Sequence, residues 1–264
     1  MKTSLLLAVF LLSSTSFAEI CGNSDDRVPS ADPKVGRLVK AGETQGCTAA
    51  LVGKNCLITI GACAENRDYV EFNVPASIGG VPQASSAEDR YDVIKSETKF
   101  SAQGIGNQWA VMKLAANKIT GKAAGDVQGF YNVAKQKSHD NDPIRVVSYG
   151  YALGDTYEIK YDHKYNANPY ADVLHYAQAV SYGKLVKAGI FLIPEIVEHN
   201  ADTSYGSWGA PIISQVTNEI VGISTHGGCQ AEYVVSAGAR YTNAGTSVTG
   251  NSKFKKAIAA CLAQ

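Results

Sequence analysis

The sequence has little charge and no apolar run long enough to cross a bilayer. Charged residues are 18% of its 264 residues, and 24 basic side chains balance 24 acidic ones, so the formal net charge is +0. This balance excludes the basic excess typical of nucleic-acid-binding proteins and the acidic excess typical of some disordered ones. The apolar run Leu5–Leu12 is far shorter than the roughly 20 residues of a membrane-spanning helix, and no other segment is a candidate. We therefore expect a chain that neither binds nucleic acid nor spans a membrane.

The first 18 residues are typical of a secretory signal peptide. Lys2 supplies a positive end, Leu5–Leu12 an apolar centre, and Ser16 and Ala18 the small residues that precede a cleavage site. Cleavage would leave residues 19–264 as a secreted or periplasmic protein. The alternative is a buried N-terminal strand.

Metal-ligand spacing is also missing. The sequence has six cysteines and five histidines, and no histidine stands in ligand register with a cysteine. We therefore expect neither a structural metal nor another cofactor. An even number of cysteines in an exported chain instead predicts three disulfides. The cysteines are Cys21, Cys47, Cys56, Cys63, Cys229 and Cys261.

Short strands separated by turn residues dominate the rest of the chain. Thr48–Val52 and Leu57–Ile60 flank a short turn that contains glycine, which predicts a hairpin. Residues 156–165 alternate between aromatic or aliphatic and charged positions, which predicts a strand. Only the C-terminal end is predicted to be helical, with Asn251 capping Ser252–Leu262. This pattern predicts an all-β barrel or sandwich with one terminal helix.

Three segments carry a more specific pattern: GCTAALVGKNCLITIGAC at 46–63, GNQWAVMKL at 106–114 and ADTSYGSWGAP at 201–211. They resemble, in order, the histidine, aspartate and serine motifs of trypsin-like serine proteases, most closely the bacterial glutamyl-endopeptidase-like branch. Residues 220–228 resemble the substrate-binding strand that follows the serine. The match covers 46–262 in the right order, so the combination is specific although each motif alone is weak.

The resemblance implies two six-stranded antiparallel β-barrels, at about 19–114 and about 144–250, closed by a helix at 251–264. It also implies a disulfide between Cys47 and Cys63. In this family the strand that carries Cys56 passes near the terminal helix, which suggests pairing with Cys261. Cys21 would then pair with Cys229. These last four cysteines allow three connectivities, so their pairing stays open here.

The chain departs from the family at all three catalytic positions. Ala62 stands where the family has its histidine, Gln108 where it has aspartate, and Trp208 where it has the nucleophilic serine. The mechanism needs a hydroxyl to attack, an imidazole to take its proton and a carboxylate to orient the imidazole. The resemblance therefore implies a catalytically inactive homologue that acts as a binding, decoy or regulatory protein through its former substrate cleft. The alternative is an active endopeptidase that uses atypical residues, with Ser207 and His226 the nearest candidates.

The motifs also locate the remnants of a substrate site. The resemblance assigns an oxyanion-hole remnant to the amides of Gly206 and Trp208. It assigns a substrate-cleft remnant to Asp202, Ser224, Thr225, His226 and Gly227. Asp202 is either a pocket floor or, the favoured interpretation, a carboxylate bonded to loop backbone.

The expected partner is a protein or peptide held in the cleft between the barrels by β-augmentation. A second hypothesis uses segment 149–176, which contains seven of the 14 tyrosines. This segment is either an exposed aromatic surface for a protein or glycan, or part of a core strand.

Overall fold

A computed structural model describes residues 20–152, 157–158, 164–165, 167–189, 193–229 and 242–263. Within these ranges the chain is built mainly from strands. The strands are β1 (Val28–Pro29), β2 (Val35–Val39), β3 (Gly46–Leu51), β4 (Cys56–Thr59), β5 (Tyr69–Glu71), β6 (Arg90–Ala102), β7 (Gln108–Leu114), β8 (Pro143–Ser148), β9 (Tyr157–Glu158), β10 (Lys164–Tyr165), β11 (Ala179–Lys187), β12 (Ile196–His199), β13 (Pro211–Ser214), β14 (Ile220–His226) and β15 (Asn243–Ser247).

Helices are short except for the last one. They are α1 (Gly61–Ala64), α2 (Ala124–Gln128), α3 (Ala171–Leu174) and α4 (Ser252–Leu262), with a 3-10 turn at Ala87–Asp89. The Asn251 side chain accepts a hydrogen bond from the Phe254 amide, so α4 begins at the cap that the sequence predicts. In the described part of the chain, no helix is long and apolar enough to cross a membrane.

Both barrels are closed and antiparallel. The N-terminal barrel has the strand order β2-β3-β4-β7-β6-β5, and the C-terminal barrel closes through β8, β11, β12, β15, β14 and β13. Every residue of β2, β3 and β4 is buried, on both faces of each strand. Their inward faces fill the barrel and their outward faces are covered by neighbouring parts of the protein, which explains why these strands lack a polar face. The fold class that the resemblance implied is confirmed.

The segment before β2 differs from the expected barrel boundary. We expected residues from 19 onward in the N-terminal barrel, but Val28 and Pro29 pair with Val180 and Ala179 of β11 in the C-terminal barrel. The first strand of the N-terminal barrel is β2. Two residues of extended chain carry too weak a sequence signal to show which barrel they join.

The structure also differs from the prediction of a single strand at 156–165. Its two ends pair with each other in antiparallel register, Lys164 with Glu158 and Tyr165 with Tyr157. Two strands of a hairpin have the same alternation as one long strand, so periodicity cannot separate them. We also expected the tyrosines of this segment to share one face of the strand, and their side chains lie outside the described part of the structure.

The disulfides are Cys47–Cys63, Cys56–Cys261 and Cys21–Cys229. These are the pairs that the resemblance suggested. Cys56–Cys261 joins β4 to α4, while Cys21–Cys229 joins the N-terminal segment to the chain that follows β14. Three disulfides are typical of proteins from oxidising compartments.

Candidate active site

The turn that contains Trp208 lies against the N-terminal barrel. The Thr48 amide donates to the Trp208 carbonyl at 2.9 Å. The next residue, Gly209, has φ +84, and a Cβ there would lie 2.1 Å from the Thr59 Oγ1. Only glycine allows this approach, so Gly209 fixes Trp208 at the junction of the two barrels.

The segments that carry Ala62 and Gln108 both contact the end of β6. Gly61, beside Ala62, is so close to β6 that a Cβ would lie 2.0 Å from the Ser101 carbonyl oxygen. In the β6–β7 ladder, Ala102 pairs directly with Gln108. Ala62 is exposed and Gln108 is half-buried.

Gln108 also connects to the C-terminal barrel. Its carbonyl accepts a hydrogen bond of 2.8 Å from the Thr246 Oγ1, and Thr246 pairs with Ile223 of β14. The side-chain Oε1 of Gln108 is buried, and no described group donates to it. The structure therefore brings the neighbourhoods of Ala62, Gln108 and Trp208 together where the barrels meet.

The Trp208 indole is half-buried and contacts the main hydrophobic core. It lies edge-to-face on Tyr205, with ring centroids 4.8 Å apart. Its Nε1 is buried and has no acceptor among the described residues. This position therefore presents an aromatic surface.

The turn before Trp208 is tightly formed. Gly206 has φ +98, and a Cβ there would lie 2.5 Å from the Tyr149 carbonyl oxygen. The Gly206 carbonyl accepts from the Thr48 Oγ1 at 3.0 Å. Ser207 is buried, with its hydroxyl 3.0 Å from the Ser148 hydroxyl, so it points into the C-terminal barrel.

Comparison with known proteins agrees with this arrangement. The trypsin family model matches residues 22–244. The chain belongs to the trypsin family. A search of curated proteins found no significant match.

Solved structures of three proteases share the fold of this trypsin-family chain. A Glu endopeptidase in complex with MPD covers 93% of this chain and 100% of its own, with a TM-score of 0.63 and 16% identity. The protease Anisep from Arthrobacter nicotinovorans covers 90% of this chain and 99% of its own, with a TM-score of 0.58 and 13% identity. A thermostable serine protease from an extremophilic microorganism covers 89% of this chain and 100% of its own, with a TM-score of 0.58 and 12% identity. At these identities the likeness shows the fold alone.

Asp202 holds the N-terminal segment. One carboxylate oxygen accepts from the Cys21 amide at 2.7 Å and the other from the Asp26 amide at 3.0 Å. Burial raises the pKa of Asp202 to about 7, and the neighbouring Asp26 carboxylate acts in the same direction against the two backbone hydrogen bonds. Both oxygens are engaged by backbone, which is the interpretation that the sequence favoured over a pocket floor.

The cleft strand is bonded to the turn that contains Trp208. The Ser224 amide donates to the Ala210 carbonyl at 2.8 Å, and the Ser224 carbonyl accepts from the Gly209 amide at 2.9 Å. An added strand would therefore form its other backbone hydrogen bonds with the residues after Ser224. His226 is buried with its Nδ1 2.7 Å from the Thr225 Oγ1, and burial lowers its pKa to about 4.

Arg27 is a residue of this site that sequence reasoning missed. It is buried and bonded to the Asp25 carboxylate, and its Nη1 donates to the Ser204 hydroxyl at 2.5 Å in the turn before Trp208. Its Nη2 donates to the Tyr151 carbonyl at 2.8 Å. The only sequence signal was a cluster of charges at 25–27 in a chain with few charges, which does not reveal burial.

Proposed function

We propose that this trypsin-family protein is an exported, catalytically inactive homologue that binds a protein or peptide in the cleft between its barrels. One observation carries the proposal. The three sequence positions that match the catalytic motifs hold Ala62, Gln108 and Trp208, and the proposal is supported by contacts between the segments that carry them. Export is supported by the three disulfides and by the signal-peptide pattern of residues 1–18.

None of these three side chains can perform the family's chemistry. The methyl group of Ala62 accepts no proton, and the neutral amide of Gln108 cannot stabilise an imidazolium. Trp208 offers no nucleophile, and its ring fills space beside the turn. Loss of a serine-protease triad lowers turnover by about 10⁶-fold in the best-studied case.

The neighbouring Ser207 and His226 do not replace the missing pair. The Ser207 hydroxyl is bonded to Ser148 inside the C-terminal barrel, and the His226 ring is bonded to its neighbour Thr225. A working nucleophile and base must lie within hydrogen-bond reach of each other. Each of these side chains instead has its own local partner.

The cleft keeps a strand to which a peptide could add. β14 ends beside the Trp208 turn, and Gly227 and Gly228 follow it without side chains that would block a second backbone. A bound peptide would form backbone hydrogen bonds there while its side chains contact the aromatic surface of Tyr205 and Trp208. Residues 225–228 are thus the proposed peptide-binding edge.

Activity measurements test the loss of chemistry directly. The purified protein should not cleave casein or a mixed peptide library, and a fluorophosphonate probe should not label it. Turnover that copurifies with the protein and is lost on Ser207→Ala or His226→Ala would contradict the proposal and favour an endopeptidase with atypical residues. Turnover unaffected by both changes would indicate a contaminant.

A triple variant tests whether the scaffold otherwise remains a protease. Ala62→His, Gln108→Asp and Trp208→Ser together should restore probe labelling if the Gly206 turn still presents its amides. The matched control carries the first two changes with Trp208→Ala, which supplies no nucleophile and should stay unlabelled. Labelling of both variants would show that the probe reacts elsewhere.

A further inference from the structure

Five aromatic residues lie beside the Trp208 turn in two groups of contacting rings, and nothing in the proposed peptide binding requires all of them. The aromatic cluster consists of Tyr151, His175, Tyr176, Tyr205 and Trp208. The His175 ring lies 4.4 Å from Tyr151 and 4.8 Å from Tyr176, with Tyr151 and Tyr176 5.9 Å apart. Tyr205 is 4.8 Å from Trp208.

The backbone joins the two halves of the cluster. The Tyr151 amide donates to the Tyr205 carbonyl at 2.7 Å. A Cβ on Gly206 would lie 3.1 Å from the Tyr176 ring, so glycine lets this ring approach the turn. Tyr205 is 47% exposed and Tyr151 is partly exposed, so a ligand can reach the cluster from solvent.

The three tyrosines of the cluster differ in exposure. Tyr205 is 47% exposed and Tyr151 is partly exposed, whereas Tyr176 is only 2% exposed. In the described part of the protein, no side-chain or backbone group forms a hydrogen bond with any of the three hydroxyls. Burial, followed by the neighbouring Tyr205 and Tyr151 phenols, raises the pKa of Tyr176 to about 12, so its hydroxyl is neutral at physiological pH. Tyr151 and Tyr205 therefore offer hydroxyl groups that can donate and accept at the surface, and the buried Tyr176 hydroxyl lies near them.

Tyr176 is held in an unusual backbone conformation. Its φ is 53, which is rare for an aromatic residue. The Arg37 guanidinium donates to its carbonyl at 2.7 Å, and its amide donates to the Gly150 carbonyl at 3.0 Å. Strained residues that persist in this way are concentrated at ligand-binding and active sites.

The charge near the cluster is compensated. Arg27 reaches the Tyr151 carbonyl, but its guanidinium forms an ion pair with Asp25 in which both side chains are buried. The His175 Nδ1 lies 2.8 Å from the Ala152 carbonyl, which fixes the orientation of the ring. The Arg27 guanidinium is therefore already paired and does not serve as a counter-charge for an anionic ligand.

We infer that the aromatic cluster binds a neutral saccharide. Sugars combine apolar C–H faces, which stack on aromatic rings, with hydroxyl groups that donate and accept hydrogen bonds. The cluster offers both, with Tyr205 and Trp208 as rings and the tyrosine hydroxyls as polar partners. This inference goes beyond the proposed peptide binding and does not depend on the loss of hydrolysis.

Fluorescence titration tests the inference. The protein has two tryptophans, so Trp109→Phe leaves Trp208 as the reporter. The probes are maltohexaose, cellohexaose and chitohexaose, with hexagalacturonate as an anionic probe and decaproline as a peptide probe. At least one neutral hexasaccharide should change the Trp208 emission saturably at millimolar concentration or below. Tyr205→Ala should weaken its binding about tenfold or more, as expected for an aromatic anchor.

Two further variants separate stacking, hydrogen bonding and nonspecific effects. Tyr205→Phe keeps the ring and should weaken binding by about three- to tenfold through the lost hydroxyl. Tyr182→Ala removes a tyrosine of similar exposure, 57%, from β11 outside the cluster and should change nothing. Near-ultraviolet circular dichroism checks that each variant is folded.

Three results would overturn the inference. The first is that none of the three neutral saccharides gives a saturable change in emission. The second is that Tyr182→Ala weakens saccharide binding as much as Tyr205→Ala does. The third is that only hexagalacturonate or only decaproline binds. Decaproline binding alone would assign the cluster to peptides. None of these results bears on the hydrolysis assays, so the proposed inactivity is judged separately.

Discussion

The guanidinium of Arg37 and the carboxylate of Glu71 form a 2.7 Å ion pair in which neither side chain is exposed. The same guanidinium donates to the Tyr176 carbonyl of the C-terminal barrel at 2.7 Å. The second Glu71 oxygen accepts from the Ser85 amide at 3.0 Å. One buried charge pair therefore connects β2 and β5 of the N-terminal barrel with the aromatic cluster.

Removing one partner of this pair should destabilise the protein strongly. Arg37→Met leaves the Glu71 carboxylate buried without its main counter-charge, which costs about 3–5 kcal/mol of unfolding free energy. Urea denaturation measures the loss. The double variant Arg37→Met with Glu71→Leu should recover part of it, because no charge remains buried.

The matched control for this pair is Lys54→Met. Lys54 pairs with Asp126 on the surface, where the lysine side chain is 70% exposed. Loss of this surface ion pair should lower the unfolding free energy by less than about 1 kcal/mol. Equal effects of Arg37→Met and Lys54→Met would contradict the account of the buried pair.

Local signals explain which parts of this fold could be predicted from the sequence. The hairpin of β3 and β4 and the Asn251 cap each depend on a few adjacent residues, and both are present. The pairing of β9 with β10 was missed because the periodicity of a sequence does not show where the chain reverses direction. The buried Arg37 was missed because its partners are 34 and 139 residues away.

The candidate site shows the same limit. The motifs located Ala62, Gln108 and Trp208, since each follows a recognisable stretch of strand or turn. They did not reveal Arg27 or the aromatic cluster, because these depend on contacts between segments far apart in sequence. Arg27 reaches Ser204 across 177 residues.

Two buried histidines predict acid sensitivity. Burial lowers the pKa of His199 and of His226 to about 4, below the 6.5 of an unperturbed histidine. Protonation therefore favours the unfolded chain. The unfolding free energy keeps the full contribution of these neutral histidines above pH 6.5 and loses it as the pH falls towards 4. Each histidine contributes about 3 kcal/mol to this loss. His199→Asn should flatten the dependence of the unfolding free energy on pH in that window, as measured by urea denaturation.

Two comparisons check the assignment. His139→Asn is the surface control, because the His139 side chain is 86% exposed, and an equal flattening in both variants would contradict the assignment to His199. Asp202 acts in the opposite direction, since burial raises its pKa to about 7 and its contribution is lost as the pH rises through 7. An unaltered acid slope in His199→Asn would refute the role of His199.

The disulfides should differ in their contributions to stability. Cys56–Cys261 spans 205 residues and Cys47–Cys63 spans 16. In the loop-entropy model, the disulfide that closes the longer loop lowers the entropy of the unfolded chain more. It therefore adds about 2 kcal/mol more to the unfolding free energy. Replacing Cys56 and Cys261 by alanine should therefore lower the unfolding free energy more than replacing Cys47 and Cys63. The opposite order would indicate that native packing at the shorter loop outweighs chain entropy.

Trp208 allows a test of whether its ring fills the barrel junction. Its indole is half-buried against the core with an Nε1 that has no described acceptor. Trp208→Phe keeps most of the ring and removes the unpaired donor, whose burial costs about 1–3 kcal/mol, so stability should be unchanged or higher. Trp208→Ser leaves a cavity and should cost about 1–3 kcal/mol, less than a fully buried ring.

Trp109 provides the matched comparison for Trp208. It is 6% exposed, stacks on Phe254 at 5.5 Å and also has a buried Nε1 without a described acceptor. Trp109→Ser should therefore cost about 3–5 kcal/mol, more than Trp208→Ser. If Trp208→Ser leaves the unfolding free energy unchanged, the indole does not fill the junction, and its surface is free to anchor a bound partner. If Trp208→Phe lowers the unfolding free energy as much as Trp208→Ser does, loss of the ring cannot explain the effect, because phenylalanine keeps most of the ring. The indole N–H would then have a partner such as an ordered water.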